Sequence, residues 1–391
     1  MKFDQFFFEQ PLDRRGTDCE KWDDRGVMDQ DGIPLWVADM DFPCAPAIVD
    51  ALQKRAAHPC FGYTIDNPAD NQALIGYWQR RHGVTFQAQD IQMLPCVITG
   101  LKACVRAFTA PGDSVAIVTP VYGPFYMSIQ SNGRAVKAVS LLRDEKTGRY
   151  ELDFDSMEKA LKEGAKLMML CSPHNPVSRL WSEEELTRLC RLAEQYDVPI
   201  VCDEIHADFV YKPGKFVSIL NIPEGRNRAV MLCSASKTFN IAGLQQAAMV
   251  CVNPDMLQKL KQDMYASGVM SGNTFALIAA RTAYTECDDW LDGLVGYLDG
   301  NRKLLAELIA DRLPKAKMSP IEATYLAWLD LRAYGLTCEE LARKCRKAKV
   351  ALTGGTFFGE EGEGFMRVNF ACPRALLTEG IKRLQAALED D

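Results

Sequence analysis

Short, uninterrupted apolar runs alternate with helical patterns through the middle of the chain, and this alternation limits the possible folds more than any other feature. Runs without polar alternation are typical of strands that are buried on both faces of a parallel sheet. Their alternation with helical patterns indicates βαβ units and therefore an α/β fold with a mostly parallel sheet flanked by helices. The predicted strands are Val115–Val118, Leu167–Cys171, Ile200–Cys202, Val230–Cys233 and Ala247–Val252.

One crossover between two of these strands can be followed residue by residue. Ser182 is followed three residues later by Glu185, which is the signature of a capping box at a helix start. The helix that follows carries one apolar stripe, formed by Leu186, Leu189, Cys190 and Ala193. A second helix is predicted over Val97–Ala110, ended by Pro111-Gly112.

The last hundred residues have a different pattern, which predicts a separate small α+β domain. Long helical stretches at 289–313 and 337–348 flank strand-like runs at 325–331 and 365–370. A chain of 391 residues is typical of a two-domain enzyme. We therefore expect an N-terminal segment (1–46) that packs with the small domain, a large domain (47–287) and a small C-terminal domain (288–391).

Composition and charge exclude several classes of function. The chain has 45 basic and 52 acidic side chains, a formal charge of −7, and so lacks the basic surface expected of a nucleic-acid-binding protein. No apolar run reaches the length of a membrane-spanning helix. The apolar run near the first residue consists of three phenylalanines and is too short for a signal peptide. We expect a soluble cytoplasmic protein without a nucleic-acid or membrane partner.

The cysteine and histidine patterns favour neither disulfides nor a metal site. None of the 14 cysteines has CxxC spacing, and several lie inside apolar runs, as expected of small core residues in a reducing compartment. The four histidines form no HExxH motif and no cluster with cysteines at ligand spacing. We expect no bound metal.

A polar cluster follows each of four predicted strands. In an open parallel sheet, ligands bind beyond the carboxyl ends of the strands. The four clusters are therefore expected to converge on one site. They offer an aromatic ring, an amide, a carboxylate and an amine, from Tyr122, Asn175, Asp203 and Lys237.

These four groups are the ones that pyridoxal 5′-phosphate (PLP) requires. A lysine amine can bond covalently to the cofactor aldehyde. A carboxylate keeps the pyridine nitrogen protonated, an aromatic ring stacks on the pyridine, and an amide donates to the ring oxygen. Hydroxyl groups and the amides of a helix N-terminus can hold the phosphate, and Ser234, Ser236 and the backbone of Val97 and Ile98 are suitable.

Each residue taken alone has a purely structural explanation. A lysine is usually a solvated surface group, and a carboxylate after a strand, such as Asp203, can cap a helix. Asn175-Pro176 is compatible with a simple turn, and Tyr122 with packing. The prediction rests on the order of the four clusters and on their shared position after strands.

With these residues in place, the sequence resembles the fold-type I PLP-dependent enzymes of aminotransferase class I/II. The similarity is to the MalY/PatB branch of cystathionine β-lyases, also called cysteine-S-conjugate β-lyases, and it extends over nearly the whole chain. The segments WVADMDF and DEIHAD are together specific to this branch. The similar segments are DRRGTDCEKWD (13–23), LWVADMDFP (35–43), FGYT (61–64), SPHNP (172–176), DEIHAD (203–208), SKTFNIAGLQ (236–245) and FMRVNFACPR (365–374).

The resemblance implies roles for individual cofactor contacts. Lys237 would carry the cofactor, Asp203 would pair with the pyridine nitrogen, and Asn175 would contact the ring oxygen. Tyr122 would stack on the ring, so that Lys237, Asp203 and Tyr122 form the predicted catalytic set. Tyr63 is similar to the tyrosine that reaches the phosphate of the neighbouring subunit, which implies a homodimer.

The resemblance also implies how an amino-acid substrate is held. Arg367 matches the arginine that binds the substrate α-carboxylate, since a guanidinium can donate two parallel hydrogen bonds to a carboxylate. The purely structural alternative for Arg367 is a surface ion pair. The segment Trp36–Asp39, with Trp36, Ala38 and Asp39, would line the substrate pocket.

The chain departs from the wider family at several positions. His206 stands where aminotransferases usually have a tyrosine, and we expect it to contact the cofactor. Gly243-Leu244-Gln245 replaces the usual glycine–arginine pattern. Cys96 and Ser178 each occupy a place where this branch commonly has glycine. We expect altered loop geometry, and fewer charges on the phosphate, but retained cofactor binding.

The expected activity is β-elimination from cystathionine or another S-substituted L-cysteine, which gives a thiol, pyruvate and ammonia. An aminotransferase on the same scaffold is the alternative, since it needs the same lysine, aspartate and arginine. A regulatory binding protein that retains the fold is a third interpretation. A binder without chemistry is expected to have lost Lys237 or Asp203, and the sequence keeps both.

Overall fold

A computed structural model of the chain describes residues 3–27, 29, 31–269 and 272–389. The α-helices are α1 (Gln5–Phe8), α2 (Glu20–Asp23), α3 (Pro46–Ala56), α4 (Pro68–His82), α5 (Val97–Phe108), α6 (Pro124–Gln130), α7 (Phe154–Lys162), α8 (Glu183–Gln195), α9 (Pro223–Arg226), α10 (Ala235–Thr238), α11 (Pro254–Ala266), α12 (Thr274–Glu286), α13 (Asp288–Arg312), α14 (Cys338–Lys347) and α15 (Arg374–Glu389).

The strands form one large sheet, one smaller sheet and two short ladders. They are β1 (Ile33–Pro34), β2 (Ile91–Leu94), β3 (Ser114–Thr119), β4 (Ala135–Ser140), β5 (Leu142–Arg143), β6 (Tyr150–Glu151), β7 (Ala165–Cys171), β8 (Ile200–Asp203), β9 (Ala229–Cys233), β10 (Ala247–Val250), β11 (Lys317–Met318), β12 (Leu326–Asp330), β13 (Val350–Ala351), β14 (Thr353–Gly354) and β15 (Phe365–Asn369).

The large sheet has seven strands in the order β2-β10-β9-β8-β7-β3-β4. Neighbours from β9 through β4 pair in parallel, so the α/β class and the mostly parallel sheet are confirmed. The run predicted as a parallel strand over Ala247–Val252 is instead β10, which pairs antiparallel with both β2 and β9. Its sequence resembles that of its neighbours because all four of its residues are buried, and burial does not depend on strand direction.

Both faces of the sheet are covered, which explains the uninterrupted apolar runs. Along β3, Val115 and Ile117 pack into the core on one face, and Ala116 and Val118 pack into the core on the other. Neighbouring residues of a strand point to opposite faces, so the middle of a strand with a core on each face is apolar at every position, and polar residues such as Ser114 and Thr119 stand at its ends.

The crossover from β7 to β8 through α8 forms as the sequence predicts. The side chain of Ser182 accepts from the Glu185 backbone, and the Glu185 carboxylate accepts from the Ser182 N–H. Helix α5 ends at Phe108, two residues before the predicted end. Ala110 precedes Pro111, and a residue before proline is disfavoured in the helical conformation. The proline therefore ends the helix earlier than predicted.

The C-terminal elements form a four-stranded antiparallel sheet in the order β11-β12-β15-β14. The predicted strands at 325–331 and 365–370 are β12 and β15, and the predicted helices are α13 and α14. The N-terminal segment, predicted to be extended, contains the short helices α1 and α2. It lies against the C-terminal elements, since β1 pairs with β13 and the Phe8 ring contacts Trp290 and Tyr297.

Candidate active site

The segments that follow β3, β7, β8 and β9 meet at a cavity of about 160 Å³ at the carboxyl ends of these strands. Parallel strands end at the same edge of the sheet, so residues far apart in sequence come together there. The predicted site residues that line the cavity are Ala38, Val97, Ile98, Tyr122, Asn175, Asp203, His206, Ser236 and Lys237.

Lys237 lies on the short helix α10, directly after the buried strand β9. Its Nζ donates a hydrogen bond of 2.7 Å to the carbonyl oxygen of Ala38. Burial lowers the pKa of Lys237, and the carboxylates of Asp39 and Asp203 oppose that shift. A lowered pKa increases the neutral fraction of the amine, which is the form that attacks an aldehyde or accepts a proton.

Asp203 ends β8 with its side chain buried. Burial raises its pKa to about 7, against a backbone hydrogen bond of 3.1 Å from the Ile205 N–H to Oδ1 and the positive charge of Lys237. Within the described part of the chain, no group donates a hydrogen bond to its other oxygen, Oδ2. A cationic N–H group placed beside it would gain a charge-assisted hydrogen bond and return the pKa toward its usual range.

Arg367 lies on β15, in the smaller sheet; like Trp36, it does not line the cavity but contacts it through Asn175, which does. Its Nη1 donates to Oδ1 of Asn175 at 3.1 Å, and its Nη2 donates to the Trp36 carbonyl at 2.7 Å. Burial lowers the pKa of Arg367 to about 10, and its buried Nε has no hydrogen-bond partner. A buried guanidinium with an unused donor is suited to bind a carboxylate.

The segment Trp36–Asp39 joins Arg367 to Lys237 through its backbone. The Trp36 carbonyl accepts from Arg367, and the Ala38 carbonyl accepts from Lys237. The Trp36 indole donates to the Lys21 carbonyl at 3.0 Å, so its ring is fixed against α2. The Asp39 carboxylate is held by Arg14 at 2.6 Å and does not itself line the cavity.

The N-terminus of α5 faces the cavity with Val97 and Ile98. The residue before the helix, Cys96, is extended and makes no side-chain cap, so the first amide groups of the helix are open to an anion. Ser236 lines the same cavity, whereas Ser234 does not. The Ser234 hydroxyl instead caps α10 by accepting from the Ser236 N–H at 2.9 Å, and it donates to the Gln246 carbonyl.

His206 is buried beside Tyr325, with 5.8 Å between the ring centroids. Burial lowers the pKa of His206 to about 3, together with the charges of Lys237 and Arg367, so the imidazole is neutral. Its Nδ1 has no hydrogen-bond partner. The ring therefore offers an unused polar atom beside the cavity that it lines.

Tyr63 lies outside the cavity. Its side chain is fully exposed, and it borders a separate groove with Arg55 and Arg281. The exposed Phe61 and Ile65 lie on the same stretch of chain. Tyr63 therefore makes no contact with the cavity of its own chain.

The sequence prediction missed four polar residues of the site, two that make hydrogen bonds there and two that line the cavity. Tyr325 donates its hydroxyl to the Ala38 carbonyl at 2.9 Å, and Thr353 lies opposite Arg367 in the sheet and accepts from its Nη2 at 3.3 Å. Gln245 and Gln246 line the cavity. Gln245, at the end of the AGLQ pattern, has a positive φ of 59°, and it stands where the expected arginine is missing.

The donor set fits PLP. An amine, a carboxylate that lacks a cationic partner, an amide and an aromatic ring face one cavity beside a helix N-terminus. His206 Nδ1 and Arg367 Nε are buried polar atoms without a hydrogen-bond partner among the described residues. Among the described residues, no cluster of histidine, cysteine or acidic side chains has the arrangement of a metal site, and no helix is long and apolar enough to cross a membrane.

Comparison with known proteins places the chain among PLP-dependent enzymes. It is 40% identical over 388 residues to cystathionine beta-lyase PatB of Bacillus subtilis strain 168, covering 97% of this chain and 99% of that protein. It is 34% identical to protein MalY of Escherichia coli K12, covering 98% and 99% of the two chains. The similarity thus spans both chains almost completely.

Solved structures agree in fold. Cystalysin from Treponema denticola, which contains a PLP cofactor, superposes with a TM-score of 0.94 at 31% identity, over 98% of both chains. The PLP-bound C-S lyase from Staphylococcus hominis superposes with a TM-score of 0.91 at 30% identity, again over 98% of both. The fold is that of the fold-type I PLP-dependent enzymes. The family described as aminotransferase class I and II matches residues 30–384, and the chain therefore belongs to this family.

Proposed function

We propose that the protein is a PLP-dependent carbon–sulfur β-lyase that cleaves cystathionine or another S-substituted L-cysteine to a thiol, pyruvate and ammonia. The single observation that carries the proposal is the hydrogen bond between Arg367 and Asn175 at the edge of the cavity that holds Lys237 and Asp203. This contact places a carboxylate-binding group beside the groups that fit the cofactor. The names of the relatives, cystathionine beta-lyase and C-S lyase, support the same activity.

Arg367 binds the α-carboxylate of the substrate. Its guanidinium is oriented by Asn175, by the Trp36 carbonyl and by the hydroxyl of Thr353. The face of the Phe358 ring lies 4.9 Å from the guanidinium and shields it from water. Because the guanidinium is held in place and shielded from water, it binds the amino acid in one orientation and brings the substrate Cα toward Lys237.

Lys237 acts on the α-proton of the bound amino acid. When bound, PLP supplies a protonated ring that accepts electrons from Cα and so acidifies this proton. Lys237 removes it as general base, since burial favours the neutral amine. The Cβ–S bond then breaks with loss of a thiolate, and addition of water to the remaining three-carbon unit gives pyruvate and ammonia. Asp203 keeps the ring nitrogen protonated during these steps.

Aminotransfer is the alternative reaction of the same residues. The relatives include LL-diaminopimelate aminotransferase of Gloeobacter violaceus, at 26% identity. The two reactions differ in where the proton goes after Lys237 removes it. A transaminase returns the proton to the cofactor carbon, whereas a lyase loses the sulfur substituent from Cβ. The higher identity to cystathionine beta-lyases favours the lyase.

The experiment that separates the two uses purified, PLP-loaded protein and L-cystathionine. A lyase accumulates pyruvate and free thiol over many turnovers with no 2-oxo acid present. A transaminase stops at less than one equivalent and resumes only when a 2-oxo acid is supplied. Absence of both reactions, with cofactor bound, would exclude cystathionine as the substrate and leave either another S-substituted L-cysteine or the third interpretation, a binding protein.

We also propose that the protein is a homodimer with shared active sites. Tyr63 is fully exposed and lies away from the cavity of its own chain, on a stretch that also exposes Phe61 and Ile65. An exposed apolar stretch of this kind is typical of a subunit interface. In the dimer, Tyr63 would contact the cofactor phosphate of the other subunit.

We propose the three-part division of the chain at residues 46 and 287. Helix α13 begins at Asp288, and every strand of the smaller sheet follows it.

We propose the cytoplasm as the location of the protein. The cysteines are all free, as expected in this reducing compartment.

A further inference from the structure

Asp208 lies near Lys237 without lining the cavity, and the reaction described above gives it no role. Its buried carboxylate is contacted by three side chains. The Tyr77 hydroxyl donates to Oδ1 at 2.6 Å, and Nε2 of His82 lies 3.0 Å from the same oxygen. The Thr238 hydroxyl donates to Oδ2 at 2.6 Å.

These partners connect the carboxylate to two different elements. Tyr77 and His82 both belong to α4, the 15-residue helix packed against α12. Thr238 is the last residue of α10 and directly follows Lys237. Asp208 itself lies five residues after Asp203, so it joins the end of β8, helix α4 and the lysine-bearing helix.

Helix α10 has only four residues and depends on such anchors. One turn of helix is unstable by itself, because nucleation fixes several backbone angles for few hydrogen bonds. At its N-terminus, the Ser234 hydroxyl caps the Ser236 N–H. At its C-terminus, the Thr238–Asp208 hydrogen bond is the side-chain anchor. Lys237 lies between the two anchors.

The Asp208 carboxylate is a strong anchor because it is ionised. Burial raises its pKa, but His82, Thr238 and Tyr77 outweigh burial and lower the pKa overall. Hydrogen bonds to an ionised group are shorter and stronger than those between neutral groups. Removal of one donor leaves part of a buried charge without compensation, so the remaining contacts must rearrange.

We propose that Asp208 is a positioning residue that acts through Thr238 to direct the Lys237 amine toward the cofactor aldehyde. The proposal rests on the assignment of Lys237 as the cofactor-binding lysine. Lys237 and the aldehyde condense with loss of water, and the rate of this bond formation depends on the approach of Nζ. Misplacement of a reacting group by about 1 Å can slow a reaction by about 100-fold.

The test follows attachment of PLP to the apoprotein, independent of lyase turnover. Samples taken at successive times are treated with borohydride, which reduces the bond between Lys237 and the cofactor and makes it permanent. Mass spectrometry then locates the modified residue. We expect Thr238→Val, which keeps the side-chain shape and loses the hydroxyl, to slow attachment at Lys237 by about 10- to 100-fold. Thr238→Ser keeps the hydroxyl and should remain within about 3-fold of the wild-type rate.

Ser218→Ala is the matched control. It removes another buried hydrogen bond, of 2.7 Å from the Ser218 hydroxyl to the carboxyl group of Glu204, away from the lysine-bearing helix. We expect its melting temperature to fall as well, with an unchanged attachment rate. Thr238→Val with the same attachment rate as Ser218→Ala would overturn the proposal.

The outcomes separate this proposal from the proposed function. If the wild-type protein carries no cofactor on Lys237, the assignment of the lysine fails, and with it both proposals. If the wild type is labelled there and Thr238→Val is labelled equally fast, only the positioning role fails. Should Thr238→Val not fold, Tyr77→Phe removes another donor to the same carboxylate and should slow attachment by about 3-fold or more. A wild-type rate in that variant would overturn the proposal.

Discussion

Arg367 and Asn175 share a hydrogen bond of 3.1 Å across 192 residues of sequence. It joins the smaller sheet, where Arg367 lies on β15, to the segment after β7 in the large sheet. The proposed carboxylate-binding group and a proposed cofactor contact are thus in direct contact. The hydrogen bond orients the two side chains before substrate binds, which reduces the entropy lost on binding.

We predict that Arg367→Lys mainly impairs substrate binding. A lysine cannot reproduce the two-pronged contact of a guanidinium with a carboxylate. Loss of one charge-assisted hydrogen bond corresponds to about 1.5–3 kcal/mol, so kcat/KM should fall by about 10- to 150-fold, mostly through KM. Steady-state kinetics with L-cystathionine test this.

The control for that measurement is Arg191→Lys, which alters an exposed ion pair with Glu224. Such surface pairs contribute little, so this variant should match the wild type. An unchanged KM in Arg367→Lys would contradict the role of Arg367 as the carboxylate-binding residue.

We predict that Asp203 makes the stability of the apoprotein depend on pH. Burial raises its pKa from 3.8 to about 7. Between about pH 4 and 7 the folded chain therefore retains a proton that the unfolded chain has released, and the free energy of unfolding falls as pH rises. Asp203→Asn removes this contribution, so the melting temperature of the variant relative to the wild type should rise across that interval.

The same comparison with cofactor bound provides the control, because a cationic ring nitrogen should keep Asp203 ionised and reduce the pH dependence. A difference in melting temperature between the two apoproteins that stays constant from pH 4 to 7 would rule out the raised pKa.

We predict that subunits with different defects complement each other. Lys237→Ala and Tyr63→Ala should each be nearly inactive alone. In a mixed dimer, one site combines the intact Lys237 of one subunit with the intact Tyr63 of the other. After unfolding and refolding together in equal amounts, half of the dimers are mixed, so about a quarter of wild-type activity should return. No recovery, in dimers shown to be mixed, would contradict shared sites.

We predict that Ser178 is tolerated, in a place where related enzymes commonly have glycine, because its hydroxyl group compensates the backbone strain. Its φ is 57°, in the left-handed region that disfavours side chains, and its hydroxyl contacts the Leu326 carbonyl and the Thr324 hydroxyl. Ser178→Gly relieves about 1 kcal/mol of strain and loses a hydrogen bond of similar value, so its melting temperature should change little. Ser178→Ala loses the bond and keeps the strain, so it should melt lower. If Ser178→Ala melted at a higher temperature than Ser178→Gly, the hydroxyl would not compensate the backbone strain.

The sequence predicts those parts of the fold and site that depend on local pattern. Asp203 ends a buried strand, and Lys237, Asn175 and Tyr122 each follow one. Parallel strands end at one edge of the sheet, so the meeting of these four residues follows from topology. The direction of β10 does not follow, because a fully buried strand has the same composition in either direction. The hydrogen bond between Tyr325 and the Ala38 carbonyl cannot be predicted from the sequence either, since a tyrosine at the edge of an apolar run is usually an ordinary core residue.

Turnover without an amino-group acceptor tests the central claim most directly. We would measure pyruvate and homocysteine released from L-cystathionine by the PLP-loaded protein, with no 2-oxo acid, beside Lys237→Ala as the blank. The account predicts pyruvate and homocysteine in equal amounts, many per active site, and none from the variant. Less than one pyruvate per site, or equal release by the variant, would contradict it.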